Sequence, residues 1–233
     1  METYPKLKAV LFDLDDTIVD SRTAEYKAIC NFKKLFSNFD DIEDNEFAQI
    51  WSKITIELYD KYYKGIINFE TLRIERIKKL FSNFKIKIED NDAKEKLKIY
   101  LELYEKNWTL FSDTIDVLEK LKNKYKLAVV TNGDGIQQRK KIEKTGITKY
   151  FAEIIISSEV GFAKPDEKIF QIACKKLKVE PEECIMIGDK LDVDVAGCIK
   201  LGIKAVWINR KNENIDYKYK ITQLKELLEK IIN

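Results

Sequence analysis

Three acids stand within four residues at Asp13-Leu14-Asp15-Asp16, directly after the apolar run Ala9-Val-Leu-Phe12. Two aspartates at i and i+2 beyond the end of a strand can project toward one site if the chain turns there; otherwise they form an acidic, solvated turn. Three further segments carry comparable chemistry. Thr131-Asn132-Gly133 offers a hydroxyl followed by glycine-permitted backbone N–H groups, a reasonable cradle for phosphate, although Asn-Gly is also a common turn. Lys164-Pro165 places an ammonium at the start of a helical pattern, either reaching back toward a phosphate or facing solvent. Gly188-Asp189, with Asp192 and Asp194 beyond it, suits an oxygen-loving cation such as Mg²⁺, which takes carboxylates, waters and substrate phosphate oxygens. Each segment is modest alone; their co-occurrence in order is not.

All four segments follow short apolar runs. These runs lie at 8–13, 126–131, 152–157, 184–188 and 204–208, nearly continuous rather than alternating, as expected of strands covered on both faces. Helical patterns separate them at 115–125, 136–144, 166–177 and 193–201. Strand–helix alternation of this kind predicts a doubly wound parallel α/β sheet, in which ligands bind beyond the carboxyl ends of the strands at the switch in strand order. Between the first two runs the texture changes. Residues 18–108 hold apolar positions at helical spacing and read as a four-helix insertion, which leaves 1–17 and 109–233 for the core domain. The string Lys-Lys-Leu-Phe-Ser-Asn-Phe occurs at 33–39 and again at 78–84 and reads as two similar helix ends.

Composition narrows the chemistry further. The chain has 233 residues, 45% hydrophobic and 35% charged, with a net charge of only +2. No basic stripe calls for nucleic acid, and no apolar run approaches the roughly 20 residues of a membrane span. The N-terminus is too short and polar for a signal peptide, so a cytoplasmic protein is expected. Histidine is absent, which removes a Ser-His-Asp triad and His-liganded zinc. The four cysteines form no CxxC pair and read as buried free thiols.

The series Asp13-x-Asp15-x-Thr17, Thr131-Asn132-Gly133, Lys164-Pro165 and Gly188-Asp189-x-x-x-x-Asp194 resembles the four motifs of the haloacid-dehalogenase-like (HAD) hydrolase superfamily, in order and in strand-end placement. Residues 131–143 and 188–210 are more similar to the phosphatase branch that contains N-acylneuraminate-9-phosphatase and the pyrimidine nucleotidases. The resemblance implies a Rossmann-like core with the helical insertion as a cap. It further implies Asp13 as the nucleophile that forms an aspartyl-phosphate, with Asp15 as general acid and then general base. Mg²⁺ would be held by the Asp13 carboxylate, the Asp15 carbonyl and Asp189, and phosphoryl oxygens by Thr131, the Asn132 backbone and Lys164. Asp194 would either orient metal-bound water or brace the loop through Lys164. Asp16, Asp134 and Asp192 are expected in turn or capping roles. The implied activity is hydrolysis of small phosphate monoesters. A dehalogenase would need no general acid, which Asp15 argues against. A phosphomutase shares every residue named, and a non-catalytic binding module on this scaffold is the remaining alternative.

Overall fold

The apolar runs become strands. In the computed structural model, which describes residues 7–232, they form β1 (Ala9–Phe12), β2 (Lys126–Thr131), β3 (Glu153–Ile156), β4 (Cys184–Gly188) and β5 (Lys204–Ile208). Residues 1–6 of the expected first core segment lie outside the described residues. A sixth strand, β6 (Lys220–Ile221), closes the edge; two residues are too few to leave a periodic signal in sequence. The sheet is parallel throughout, in the order β3-β2-β1-β4-β5-β6. Connections reverse direction between β1 and β4, so the carboxyl ends of these two strands flank the switch point.

Alternate residues of the strands feed two apolar layers. Val10, Phe12, Val129 and Ile187 pack with Val117, Leu118 and Leu121 of α5 (Thr114–Lys122), Ile142 of α6 (Gly135–Lys144) and Leu227 of α10 (Glu226–Ile232). Ala9, Leu11, Val130 and Met186 face Ile169, Phe170 and Ala173 of α8 (Glu167–Leu177) and Cys198 of α9 (Ala196–Ile199). One further helix, α7 (Ser157–Val160), follows β3. Every residue of β1 is fully buried, which fixes the strand from which Asp13 emerges. Among the described residues no helix is long and apolar enough to cross a membrane. All four cysteines are buried and free, Cys174 and Cys184 with sulfurs 3.7 Å apart.

The chain divides into two compact units, one of residues 1–21 and 109–233 and one of residues 22–108. The second is built from α1 (Ser21–Lys33), α2 (Asp44–Tyr63), α3 (Phe69–Asn83) and α4 (Asp90–Lys106). Its core is aromatic, with Phe32, Phe39, Phe47, Trp51, Phe81 and Tyr100 buried together. The two copies of the repeated string end α1 and α3 and meet there, Phe36 on Phe81 at 5.3 Å and Phe39 on Phe84 at 5.1 Å between centroids. Arg76 lies 4.1 Å above the Trp51 ring and pairs with Glu25 at 2.6 Å. A groove of about 290 Å³ between α1 and α2 is lined by the polar Arg22, Glu25, Asn45 and Gln49 and by apolar surface of Ile29, Ala48 and Trp51.

Within the core unit, the segments that lead into and out of the helices pair with each other. Val19 bridges Leu110, the Asp20 amide donates to the Thr109 carbonyl at 2.9 Å, and the Phe111 amide to that of Ile18 at 3.1 Å. Arg210, beyond β5, stacks 3.7 Å over the Phe111 ring, pairs with Asp113 at 3.0 Å and donates to the Thr17 carbonyl at 2.9 Å. The loop that carries Asp13 and Asp15 is thereby anchored at its far end.

Candidate active site

Asp13 follows β1 directly, and its amide continues the ladder by donating to the Ile187 carbonyl at 2.9 Å. Its carboxylate meets Lys164 Nζ at 2.5 Å, and the same ammonium reaches Asp194 at 2.7 Å. Thr17 Oγ1 lies 3.4 Å from the second Asp13 oxygen. Lys164 is 3% exposed, so the reading of a solvent-facing lysine is excluded. Burial works against its ammonium, but Asp13 and Asp194 outweigh burial and hold the pKa above the ordinary lysine value.

Asn132 exchanges two hydrogen bonds with the lysine's backbone: its Nδ2 donates to the Lys164 carbonyl at 2.9 Å and its Oδ1 accepts from the Lys164 amide at 2.8 Å. The sequence pointed to the Asn132 backbone as a phosphate contact. Its side chain also sets where Lys164 stands.

Carboxylate oxygens of Asp13, Asp189 and Asp194 all lie within 4.8 Å of one another, a group that could hold a metal ion. The close approach depends on Gly188, since a Cβ there would stand 2.4 Å from the Asp194 side chain. Asp194 belongs to a π-type turn, Leu191–Val195, which overlaps the start of the helix expected over 193–201. In that wider turn the Asp194 amide donates to the Lys190 carbonyl at 2.8 Å, while its carboxylate accepts from the Lys190 amide at 2.9 Å. Asp194 therefore braces the loop and also sits in the acidic group. Trp207 Nε1 donates to the Asp189 carbonyl at 2.9 Å and orients the residue from β5.

The electrostatics of this group would favour a bound cation. Burial pushes Asp189 up to about 8, with the charges of Asp13 and Asp194 adding to the rise. Burial likewise raises Asp13 to about 6 against the pull of Lys164. Hard oxygen donors, three acids and carboxyls that resist ionisation together fit a divalent cation of the Mg²⁺ type. A consequence follows for stability. Both folded values exceed the unfolded carboxylate value of 3.8, so the folded, metal-free protein binds more protons than the unfolded chain above that pH. That contribution is complete below 3.8 and is lost as pH rises through about 6 and about 8. Asp15, whose value is depressed, acts only at the acid end of the range. Binding of Mg²⁺ requires loss of the same protons. The melting temperature in Mg²⁺ minus that in EDTA should therefore widen from about pH 5 to about pH 8.5. Calorimetric melts across that series would contradict the cation site if the gap stayed flat or narrowed.

Asp15 is separate from the acidic group in its side-chain partners. Its carboxylate is met by the Lys141 ammonium, the Ser21 hydroxyl and Gln138 Nε2, the last at 2.8 Å. Burial opposes its ionisation, but Lys141 and these hydrogen bonds prevail and hold the carboxyl below its usual range. Gln138 Nε2 also donates to Thr131 Oγ1 at 2.8 Å. Gln138 and Lys141 were missed in sequence, because Gln and Lys in a charged helix read as solvated. The available signal was their i, i+3 spacing in a helix that opens on the Thr131 motif. Asp134 caps that helix by accepting from the Gln137 amide at 2.9 Å, the role expected of it.

Comparison with known proteins bears on the family and the fold. The model of a hydrolase family described as haloacid dehalogenase-like hydrolase matches residues 7–202. Human N-acylneuraminate-9-phosphatase is 30% identical over 209 residues, covering 88% of this chain and 84% of that one. The HAD phosphatase structure from Thermococcus onnurineus is 31% identical with a TM-score of 0.68, covering 96% of this chain and 97% of that one. The magnesium-bound HAD-hydrolase YfnB from Bacillus subtilis superposes with a TM-score of 0.83 over 97% of this chain and 99% of that one. At 23% identity that last likeness is one of fold.

Proposed function

The chain belongs to the haloacid dehalogenase-like hydrolases, and from that premise we propose that it is a Mg²⁺-dependent phosphatase that hydrolyses small phosphate monoesters through an aspartyl-phosphate on Asp13. The observation that carries this reading is the pairing of two unlike carboxylates at one sheet edge. Asp13 stands among Lys164, Asp189 and Asp194, while Asp15, two residues on, is held apart by Lys141, Gln138 and Ser21.

The proposed roles follow from those surroundings. Asp13 attacks phosphorus as the bond to the leaving oxygen breaks. Bound Mg²⁺ would supply positive charge that offsets repulsion between the Asp13 carboxylate and a phosphate dianion; Asp13, Asp189 and the Asp15 carbonyl would hold it, with Asp194 orienting its water or bracing the loop. Lys164 contributes a further charge at the phosphoryl oxygens. Thr131 donates there as well, since its own hydroxyl hydrogen is engaged only in a 3.3 Å contact with the Asn132 carbonyl. Asp15 gives a proton to the leaving alkoxide. In the second step water attacks phosphorus, Asp15 takes the water's proton, and the bond to Asp13 breaks. The free protein holds Asp15 ionised, the form the second step needs. A phosphate dianion beside it favours the protonated form needed for the first.

Asp15→Asn tests this division of labour. Turnover of an alkyl phosphate should fall by roughly 10²- to 10⁴-fold. With an activated aryl phosphate, whose leaving group needs little protonation, phosphorylation of Asp13 should suffer less than hydrolysis of the intermediate. Rapid-quench kinetics separate the two steps, and equal loss in both would show that Asp15 is structural.

Leaving-group recognition is assigned to the helical insertion, the proposed cap. Sugar phosphates, nucleotides and related metabolites are the class to screen. A sugar-acid phosphate of the kind for which the human relative is named belongs first in that screen.

A further inference from the structure

Two buried polar residues on α6 hold Asp15 in the arrangement above but take no chemical part in it. Gln138 and Lys141 are 3% and 2% exposed, values unusual for a glutamine and a lysine on a helix beside solvent. Both point to Asp15: Lys141 Nζ at one carboxylate oxygen, Gln138 Nε2 at the other at 2.8 Å. Gln138 Nε2 also reaches Thr131 Oγ1 at 2.8 Å, so one amide ties the proposed proton carrier to the proposed phosphate ligand. The chain is shaped for this. Gly133 sits at φ +138°, and a Cβ there would stand 3.3 Å from the Gln138 side chain, so the glycine admits both the turn and the amide that crosses it.

We propose that Lys141 and Gln138 are positioning residues that act through Asp15, fixing its carboxylate against the Thr131 hydroxyl so that proton transfer and phosphate binding share one geometry. The inference rests on the phosphatase reading. Neither residue forms or breaks a bond; the pair determines where Asp15 stands when the leaving oxygen takes its proton and when water loses one. Fixing a proton carrier to within a few tenths of an ångström strongly affects rates where the transfer is demanding, and has little effect where it is not.

The test pairs two substrates with three single variants and one double variant, read against Asp15→Asn, in the whole Mg²⁺-loaded chain. In Lys141→Met, the rate of Asp13 phosphorylation read by rapid quench should fall by about 30-fold or more with an alkyl phosphate, against less than about 5-fold with a nitrophenyl phosphate, with half-saturation of that step changed less than about 3-fold on either. Lys141→Arg should restore part of the alkyl-phosphate rate, because the cation returns. Gln138→Leu should show the same leaving-group dependence with a rise in KM, since the Thr131 contact is lost as well. Combining Lys141→Met with Asp15→Asn should add less than about 3-fold to the loss from Asp15→Asn alone. Equal losses on both substrates, or additive losses in the double variant, would overturn the proposal and make Lys141 a fold residue. If Lys141→Met fails to fold, Gln138→Leu decides by the same criteria. A wild-type chain inactive on both esters overturns the phosphatase reading and this inference with it, an outcome distinct from an active enzyme with uniformly slowed variants.

Discussion

Replacing Asp13 by Asn should lower turnover of phosphate monoesters by on the order of 10⁴-fold or more and leave the chain folded. The rate loss follows from the role assigned to Asp13. An amide is a poor nucleophile toward phosphorus, and the other carboxylate on Lys164, that of Asp194, is taken up by the Lys190 amide in bracing its own loop. Fold retention follows from the surroundings. The side chain is nearly isosteric, Lys164 keeps its 2.7 Å partner in Asp194, and the change removes one charge from a buried cluster in which Asp13 and Asp189 already resist ionisation. Thermal melts in EDTA should place the variant within a few degrees of the parent, and coupled phosphate-release assays read the loss of turnover. A folded Asp13→Asn protein with full activity would remove the nucleophile from this account.

Removing the metal is the second large effect. Dialysis against EDTA should reduce activity to background, and Mg²⁺ should restore it. Asp189→Asn should keep the fold and raise the Mg²⁺ concentration for half-maximal activity by about 10- to 100-fold or more. Asp189 is the least compensated of the three carboxyls, raised to about 8, whereas Asp13 and Asp194 have direct contact with Lys164. Its charge therefore favours a cation most. Full activity of the parent chain after chelation, with metal content verified, would exclude the proposed Mg²⁺ dependence.

The sequence exposed the scaffold because a parallel sheet covered on both faces needs strands that are apolar throughout, and β1, β2, β4 and β5 have few polar residues to blur that signal. The order of the strands was not legible, since strand–helix alternation predicts a parallel sheet yet fits more than one doubly wound order. The site was legible where chemistry is concentrated in short strings after strands. It was obscure where ordinary residues take unusual surroundings. Lys141 and Gln138 look like surface residues of a charged helix until the fold buries them against Asp15. The Asn132 side chain sits in a plain Asn-Gly turn, and only the approach of the Lys164 backbone reveals its two hydrogen bonds. The π-type turn at Leu191–Val195 has no composition of its own; it follows from Asp194 packing over Gly188, which no local pattern records. Lys164 was ambiguous for the opposite reason: a lysine before proline is common on surfaces, and burial between two aspartates settles its place but not its role.

The central claim is that a phosphoryl group passes through Asp13. It is tested most directly by mixing the Mg²⁺-loaded protein with an excess of aryl phosphate, quenching in acid within the first turnovers, and mapping phosphorylated peptides by mass spectrometry. The account predicts a base-labile acyl-phosphate on the peptide that carries Asp13. That species should accumulate further in Asp15→Asn and be absent from Asp13→Asn. Steady turnover with no acyl-phosphate in either the parent or Asp15→Asn, or with the phosphoryl group on another residue, would contradict it.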